Sequence, residues 1–282
     1  MAYEYGITSQ PHPIARTEAF DRLVLAPHML GGTIATFWMN ANFDVAGPWN
    51  FYLEWAEHPD SDFIDVAGPT TDNILIDPVQ RRFSKLPHSV YRVRLEPAGG
   101  GLYYSPVNPV MGEWNYHQWK VVRDITRREY LRLQRYVGTQ GVYLARKQWG
   151  ELCDECLDYN TQMVTDANCE TCYGTGFVGG YHTPSVLWIG EDRIDVRAKR
   201  DVNLGVVADQ TQFARVIALP FLTAKDVWVS LTTGERWIIQ AKREGAAMQG
   251  KPIIYQVEMR LAETASVVYK IPIEPTSSSS SA

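Results

Sequence analysis

Four cysteines constrain this chain more than any other feature. Cys153, Cys156, Cys169 and Cys172 are all the cysteines it has, and they form two C-x-x-C pairs separated by twelve residues. The second pair runs on as Cys172-Tyr173-Gly174-Thr175-Gly176. A C-x-x-C turn brings two sulfurs close together. Two such turns placed face to face complete a tetrahedral shell of four thiolates, the arrangement that structural Zn²⁺ sites use. Gly174 and Gly176 lack a Cβ, so the backbone after the second pair can adopt positive φ and wrap tightly. The pattern predicts a zinc knuckle over 151–182. Four sulfurs leave no open coordination position, so its expected role is structural rather than catalytic. Iron on the same ligands is one alternative. Two disulfides formed in an extracellular particle are another, although a reducing site of synthesis suits a metal better.

The rest of the chain reads as mainly β. Its 282 residues give a prior of about two domains. The aromatic share is 12%, with nine Trp and fifteen Tyr, which suits strands better than helices. A net charge of −5 gives no bulk pull towards nucleic acid or acidic membrane. No apolar run reaches the roughly 18 residues of a membrane span. Met1 to Gln10 has no basic segment followed by an apolar core, so no secretory signal is expected.

Residues 1–20, with Pro11 and Pro13, read as an extended arm. Short strand patterns then follow at Thr33 to Asn40, Trp49 to Ala56, Phe63 to Val66, Asn73 to Ile76, Val90 to Leu95 and Leu102 to Ser105. Trp49, Phe51, Leu53 and Trp55 alternate on one face. So do Tyr91, Val93 and Leu95, with Val90, Arg92 and Arg94 opposite. Short strands punctuated by Pro, Gly, Asn and Asp predict an antiparallel sandwich over 21–110. Its strand order, with a Trp in an early strand and Tyr-x-Val-x-Leu in a late one, resembles a fibronectin type III or similar immunoglobulin-like module.

Residues 111–150 change period. Val122, Thr126, Tyr130, Leu133 and Val137 recur at helical spacing, and Gly138 ends the run. Lys120, Arg123, Arg127, Arg128, Arg132 and Arg135 lie along this helix. They suit either DNA or an acidic protein neighbour, and the partner interface is the preferred reading. Gly141 to Lys147 reads as a strand feeding the knuckle. Residues 183–275 return to β, with strands at Ser185 to Ile189 and Gln212 to Leu219, a hairpin of Lys225 to Leu231 with Arg236 to Gln240, then Ile253 to Leu261 and Val267 to Ile273. This predicts a small barrel. Residues 276–282 form a Ser-rich tail.

No catalytic constellation stands out. The six His form no metal-binding motif, and His182 reads as a surface residue. Gly174 to Gly180 lacks the Lys-Ser/Thr ending of a phosphate loop. There is no G-x-S-x-G and no recognisable carboxylate pair. The chain is therefore expected not to be an enzyme and to take no small-molecule substrate.

Several stretches carry resemblances. The second cysteine half resembles the C-x-x-C-x-G-x-G repeat of the DnaJ-type zinc domain and rubredoxin-like knuckles. The first half, Cys153-Asp154-Glu155-Cys156-Leu157-Asp158, lacks those glycines. Arg127-Arg128-Glu129-Tyr130-Leu131-Arg132-Leu133, the cysteine pairs with Cys172-Tyr173-Gly174-Thr175-Gly176-Phe177-Val178-Gly179-Gly180-Tyr181, and Val268-Tyr269-Lys270-Ile271-Pro272-Ile273 resemble virion proteins of tailed bacteriophages. Ala224-Lys225-Asp226-Val227-Trp228 with Gly234-Glu235-Arg236-Trp237-Ile238-Ile239 looks like the small β-barrel of head-to-tail connector and stopper proteins. The resemblance implies a ring of identical subunits joining the portal side of the capsid to the tail, in contact with other virion proteins and passively with channel DNA. It implies a virion location, after assembly in the host bacterial cytoplasm, and no membrane partner. Two other readings use the same residues. One is a zinc-ribbon nucleic-acid-binding protein acting through Lys120 to Arg135. The other is a baseplate or adhesion module whose sandwich binds carbohydrate through Trp49 and Trp55.

Overall fold

The computed structural model describes residues 19–28, 32–40, 43, 47–79, 81, 88–112, 114–158, 161, 163–201, 205–219 and 222–273. The expected arm up to residue 18 and the Ser-rich tail lie outside these. The fold is mainly β, with one α-helix and one closed barrel.

The first eight strands make two antiparallel sheets. They are β1 (Phe20–Pro27), β2 (Thr33–Met39), β3 (Trp49–Ala56), β4 (Ile64–Thr70), β5 (Ile74–Asp77), β6 (Val90–Pro97), β7 (Tyr103–Tyr104) and β8 (Asn108–Pro109). One sheet has the order β1-β2-β5; the other runs β4-β3-β6-β7, with β8 also on β6. Their facing residues share one core that includes Leu23, Leu25, Phe37, Phe51, Leu53, Tyr91, Val93 and Leu95. Phe51, Leu53, Val93 and Leu95 are fully buried, each contributing about 1.5–3 kcal/mol by leaving water. The expected alternation of β6 holds for Tyr91, Val93 and Leu95. Arg92 and Arg94 point the other way and clamp the buried Glu54. Trp49 and Trp55 are partly buried against the core. β1 was not foreseen as a strand.

Helix α1 (Tyr116–Arg132) starts at a capping box. The Asn115 side chain accepts from the Gln118 amide, and the Gln118 side chain accepts from the Asn115 amide. Its buried positions, Trp119, Val122, Thr126 and Glu129, follow helical spacing. A π-helical turn (Leu133–Val137) continues it, and Gly138 takes an extended conformation that ends it. Val122 and Ile125 pack with Ile253 and Ile254, laying the helix on the outside of the barrel.

The barrel has six strands: β9 (Gly138–Leu144), β12 (Ser185–Asp201), β13 (Gly205–Ile217), β14 (Val227–Ser230), β15 (Arg236–Met248) and β16 (Lys251–Leu261). Two short strands, β10 (Leu157–Asp158) and β11 (Met163–Val164), lie within the cysteine segment. The closed order is β12-β13-β16-β15-β14-β9. Three sequence expectations need correction here. The strand before the cysteines does more than feed the knuckle: β9 pairs with both β12 and β14 and closes the barrel, so a boundary at residue 183 omits one stave. The strands expected at Ser185 to Ile189 and Gln212 to Leu219 are the inner parts of a much longer hairpin, paired out to Asp201 and Gly205. The strand expected at Val267 to Ile273 is a 3₁₀ turn over Val267–Lys270, capped by the Ser266 side chain. Its apolar residues pack against the barrel's outer surface rather than pairing in the sheet. Ile34 of β2 joins the barrel's core cluster, so sandwich and barrel are packed together.

Candidate metal centre

The four cysteines converge. Their Sγ atoms all lie within 4.8 Å of one another, and the residues are 0–7% exposed. Cys153 and Cys169 are separated by 3.8 Å and Cys156 and Cys172 by 3.1 Å. A tetrahedron with bonds of about 2.3 Å has sulfur-sulfur edges of about 3.8 Å. A disulfide needs about 2.05 Å. All four are free thiols, so the two-disulfide alternative is not the state seen. The arrangement is suited to hold a metal ion.

Local sequence explains the convergence. The Leu157 amide donates to the Cys153 carbonyl, closing the first turn, and the Cys153 amide donates to the Gly176 carbonyl, tying the two halves together. The β10-β11 hairpin carries the chain from one pair to the other, and Val164 packs on the cluster. In the second turn Tyr173 sits at φ 51° and Gly174 at φ 72°. A Cβ on Gly174 would lie 2.6 Å from the Ala167 carbonyl oxygen, so glycine is required there on two counts. Glu155 ties the first turn to the second by accepting from the Thr171 hydroxyl at 2.6 Å.

The electrostatics point the same way. Burial pushes the Cys156 thiol up, and the sulfurs of Cys172, Cys153 and Cys169 push it further. At Cys172 burial also acts upward, but contact with Cys156 and the amides of Gly176 and Gly174 bring it below the ordinary thiol value. Four thiolates do not ionise together in so small a space by themselves. A cation held between them would supply the charge that lets them.

The chain on either side of the knuckle is plugged into the sandwich. Trp149 packs against Phe37, Phe51 and Trp49 of the sandwich core. Its ring also meets His182 at 5.5 Å. His182 is 3% exposed, contrary to the surface position expected from sequence, because it fills the junction between the sandwich and the knuckle. Its Nδ1 lies 3.4 Å from Asp72, which accepts from the Thr183 amide at 2.9 Å. Burial pushes the Asp72 carboxyl up, yet the His182 and Thr183 contacts outweigh it and hold the group at about 2. On the barrel side, Arg146 donates to the Thr175 carbonyl and Lys147 to the Val178 carbonyl.

Sequence reasoning missed Asp226. It is fully buried and accepts from the Tyr143 hydroxyl and the amides of Arg146 and Thr223. Burial raises its carboxyl to about 6 against those bonds. An acid placed directly before the apolar run Val227-Trp228-Val229 was the available signal.

The basic helix is not one continuous surface. Arg132 pairs with Glu129, which also takes Arg215 from β13, so this part of the helix binds the barrel. Arg128 pairs with Asp124, and Lys120 lies over the Tyr116 ring. Arg123, Arg127 and Arg135 have no ion-pair partner among the described residues, and Arg127 and Arg135 are exposed. Two depressions, of about 170 and 250 Å³, are lined by Phe213, Arg243, Gln256 and Glu258, and by a polar rim including Asn168, Arg260 and Glu263. Both fall below the roughly 300–1,000 Å³ of a small-molecule site. No membrane-spanning helix is found among the described residues. No protein-family model matches the sequence, and no curated protein is significantly similar to it.

Proposed function

We propose that the chain is a structural subunit of a tailed-bacteriophage particle: a ring component of the neck that joins the capsid's portal side to the tail around the DNA channel. Its Cys153, Cys156, Cys169 and Cys172 bind zinc as a rivet. The observation that carries this reading is the build of the molecule. A closed six-stranded barrel carries the long β12-β13 hairpin, a helix packed on its outside and a second β unit joined to its core cluster through Ile34.

Two finer points belong to the same proposal. The separation of β1, β2 and β5 from β3, β4, β6 and β7 supports a fibronectin-III-like sandwich, because it puts the first, second and fifth strands in one sheet and the third, fourth, sixth and seventh in the other. The four buried sulfurs support zinc with a closed shell. Iron on the same ligands would give visible thiolate absorption, so metal analysis with an absorption spectrum separates the two.

The functional test is self-assembly of the purified full chain. Sedimentation and negative-stain imaging over a concentration series should give closed rings with an axial opening. A persistent monomer that binds duplex DNA with an affinity falling steeply with salt would overturn the reading in favour of a nucleic-acid-binding protein.

A further inference from the structure

One side of the knuckle packs against the rest of the chain. Tyr173 and Tyr181, which flank its second turn, pack into a cluster with Val268, Tyr269, Ile271 and Ile273. The same cluster contains the outward-facing Val142 and Leu144 of β9 and Val227 and Val229 of β14, each of which is fully buried. The segment 262–273 therefore lies between the knuckle and the barrel wall. Polar contacts fix it there. The Arg236 guanidinium, 7% exposed, donates to the carbonyls of Val268 and Ile271 and lies 5.4 Å from the Tyr269 ring. Lys270 reaches across to Glu170 in the knuckle.

We propose that the knuckle is a metal-dependent clasp for this C-terminal segment. The inference rests on the metal reading above. The position of Tyr173 is set by the second turn, since it follows Cys172 directly and holds φ 51°. A bound ion locks that turn by holding Cys169 and Cys172 against Cys153 and Cys156. Metal loss frees the turn and withdraws Tyr173 from the cluster. The segment 262–273 then loses one of its two walls, and the Arg236 contacts and its packing on β9 and β14 are what remain to hold it. The apolar faces of β9 and β14 become more exposed.

The test is hydrogen exchange of the purified full chain with stoichiometric Zn²⁺ and after its removal by a chelator. The reporting amides are Ala262, Tyr269 and Ile271, which donate to Arg236, Ser266 and Val268. Metal removal should speed their exchange at least about tenfold and raise binding of an apolar dye, while the β3-β6 amides of the sandwich keep their protection. Tyr173→Ala should loosen the same amides with the metal still bound, which separates the clasp from general unfolding of the knuckle. Unchanged exchange at these amides after complete metal removal overturns the clasp and leaves the metal reading intact. Failure of Zn²⁺ or Co²⁺ to bind the four thiols overturns both.

Discussion

Replacing Gly141 by Ala tests the closure of the barrel by β9. Gly141 pairs with Leu187 on one side and with Ser230 on the other. A Cβ at this position would lie 2.2 Å from Cε2 and 2.3 Å from Nε1 of Trp228. That indole is 1% exposed, and its Nε1 donates to the Leu187 carbonyl at 3.2 Å. Restoring an ordinary contact of 3.4 Å requires the ring to move by about 1.2 Å inside a packed core. Overpacking of this kind costs about 1–3 kcal/mol. Displacing the indole N–H costs about 1 kcal/mol more. The smaller backbone entropy of Ala in the unfolded chain returns about 0.4–1 kcal/mol. The net expectation is a loss of about 1–3.6 kcal/mol, or a fall in Tm of roughly 2–14 °C. Calorimetry of Gly141→Ala beside Gly99→Ala measures it, because a Cβ on Gly99 meets nothing within 4 Å. Trp228→Leu should recover part of the loss in the double variant, since it makes room for the new methyl. A Gly141→Ala protein within about 0.5 kcal/mol of the parent would refute the packing of β9 over Trp228.

Other expectations follow from the same geometry. Cys169→Ser or Cys172→Ser should abolish bound metal by elemental analysis and loosen residues 145–185, while the N-terminal sandwich stays folded. Gly174→Ala should weaken Zn²⁺ binding in a competition titration, because its Cβ meets the Ala167 carbonyl in a left-handed turn. The Asp226 carboxyl is raised from 3.8 to about 6, so the folded state binds its proton more tightly than the unfolded state. Its contribution to stability is full below the unfolded value and is lost as pH rises through about 6. Carboxyl NMR should show Asp226 titrating near 6, and a midpoint below 4 would contradict this. Glu129→Gln should lower stability by about 1–2 kcal/mol in denaturant titration, because Arg132 and Arg215 lose their shared partner.

Local pattern carried part of this structure into the sequence. Residues of β6 alternate in burial as Tyr91, Val93 and Leu95 require, and the helix ends at Gly138 after a helical run of apolar residues. The cysteine spacing reads directly because the ligands are close in sequence, and the structure brings all four together. What escaped was non-local. β9 looks like a lead-in to the knuckle because nothing near Val142 shows that Val186 and Val229 will pair beside it. The run Val267 to Ile273 has strand composition, but Ser266 caps a 3₁₀ turn and the barrel has no edge for it to join. His182 gave no sign of burial, since the groups that cover it, Trp149 and Asp72, come from separate parts of the chain. The same holds for Glu129. Its burial depends on Arg215, which lies on β13 far along the sequence.

The central claim concerns a place in a particle. Quantitative mass spectrometry of purified, DNA-filled tailed particles from a phage encoding this chain tests it most directly, combined with imaging of their necks using a tagged copy. The account predicts a fixed multi-copy stoichiometry and a ring of label between capsid and tail. Particles that lack the chain, with the protein instead recovered from the lysate bound to nucleic acid, would contradict it.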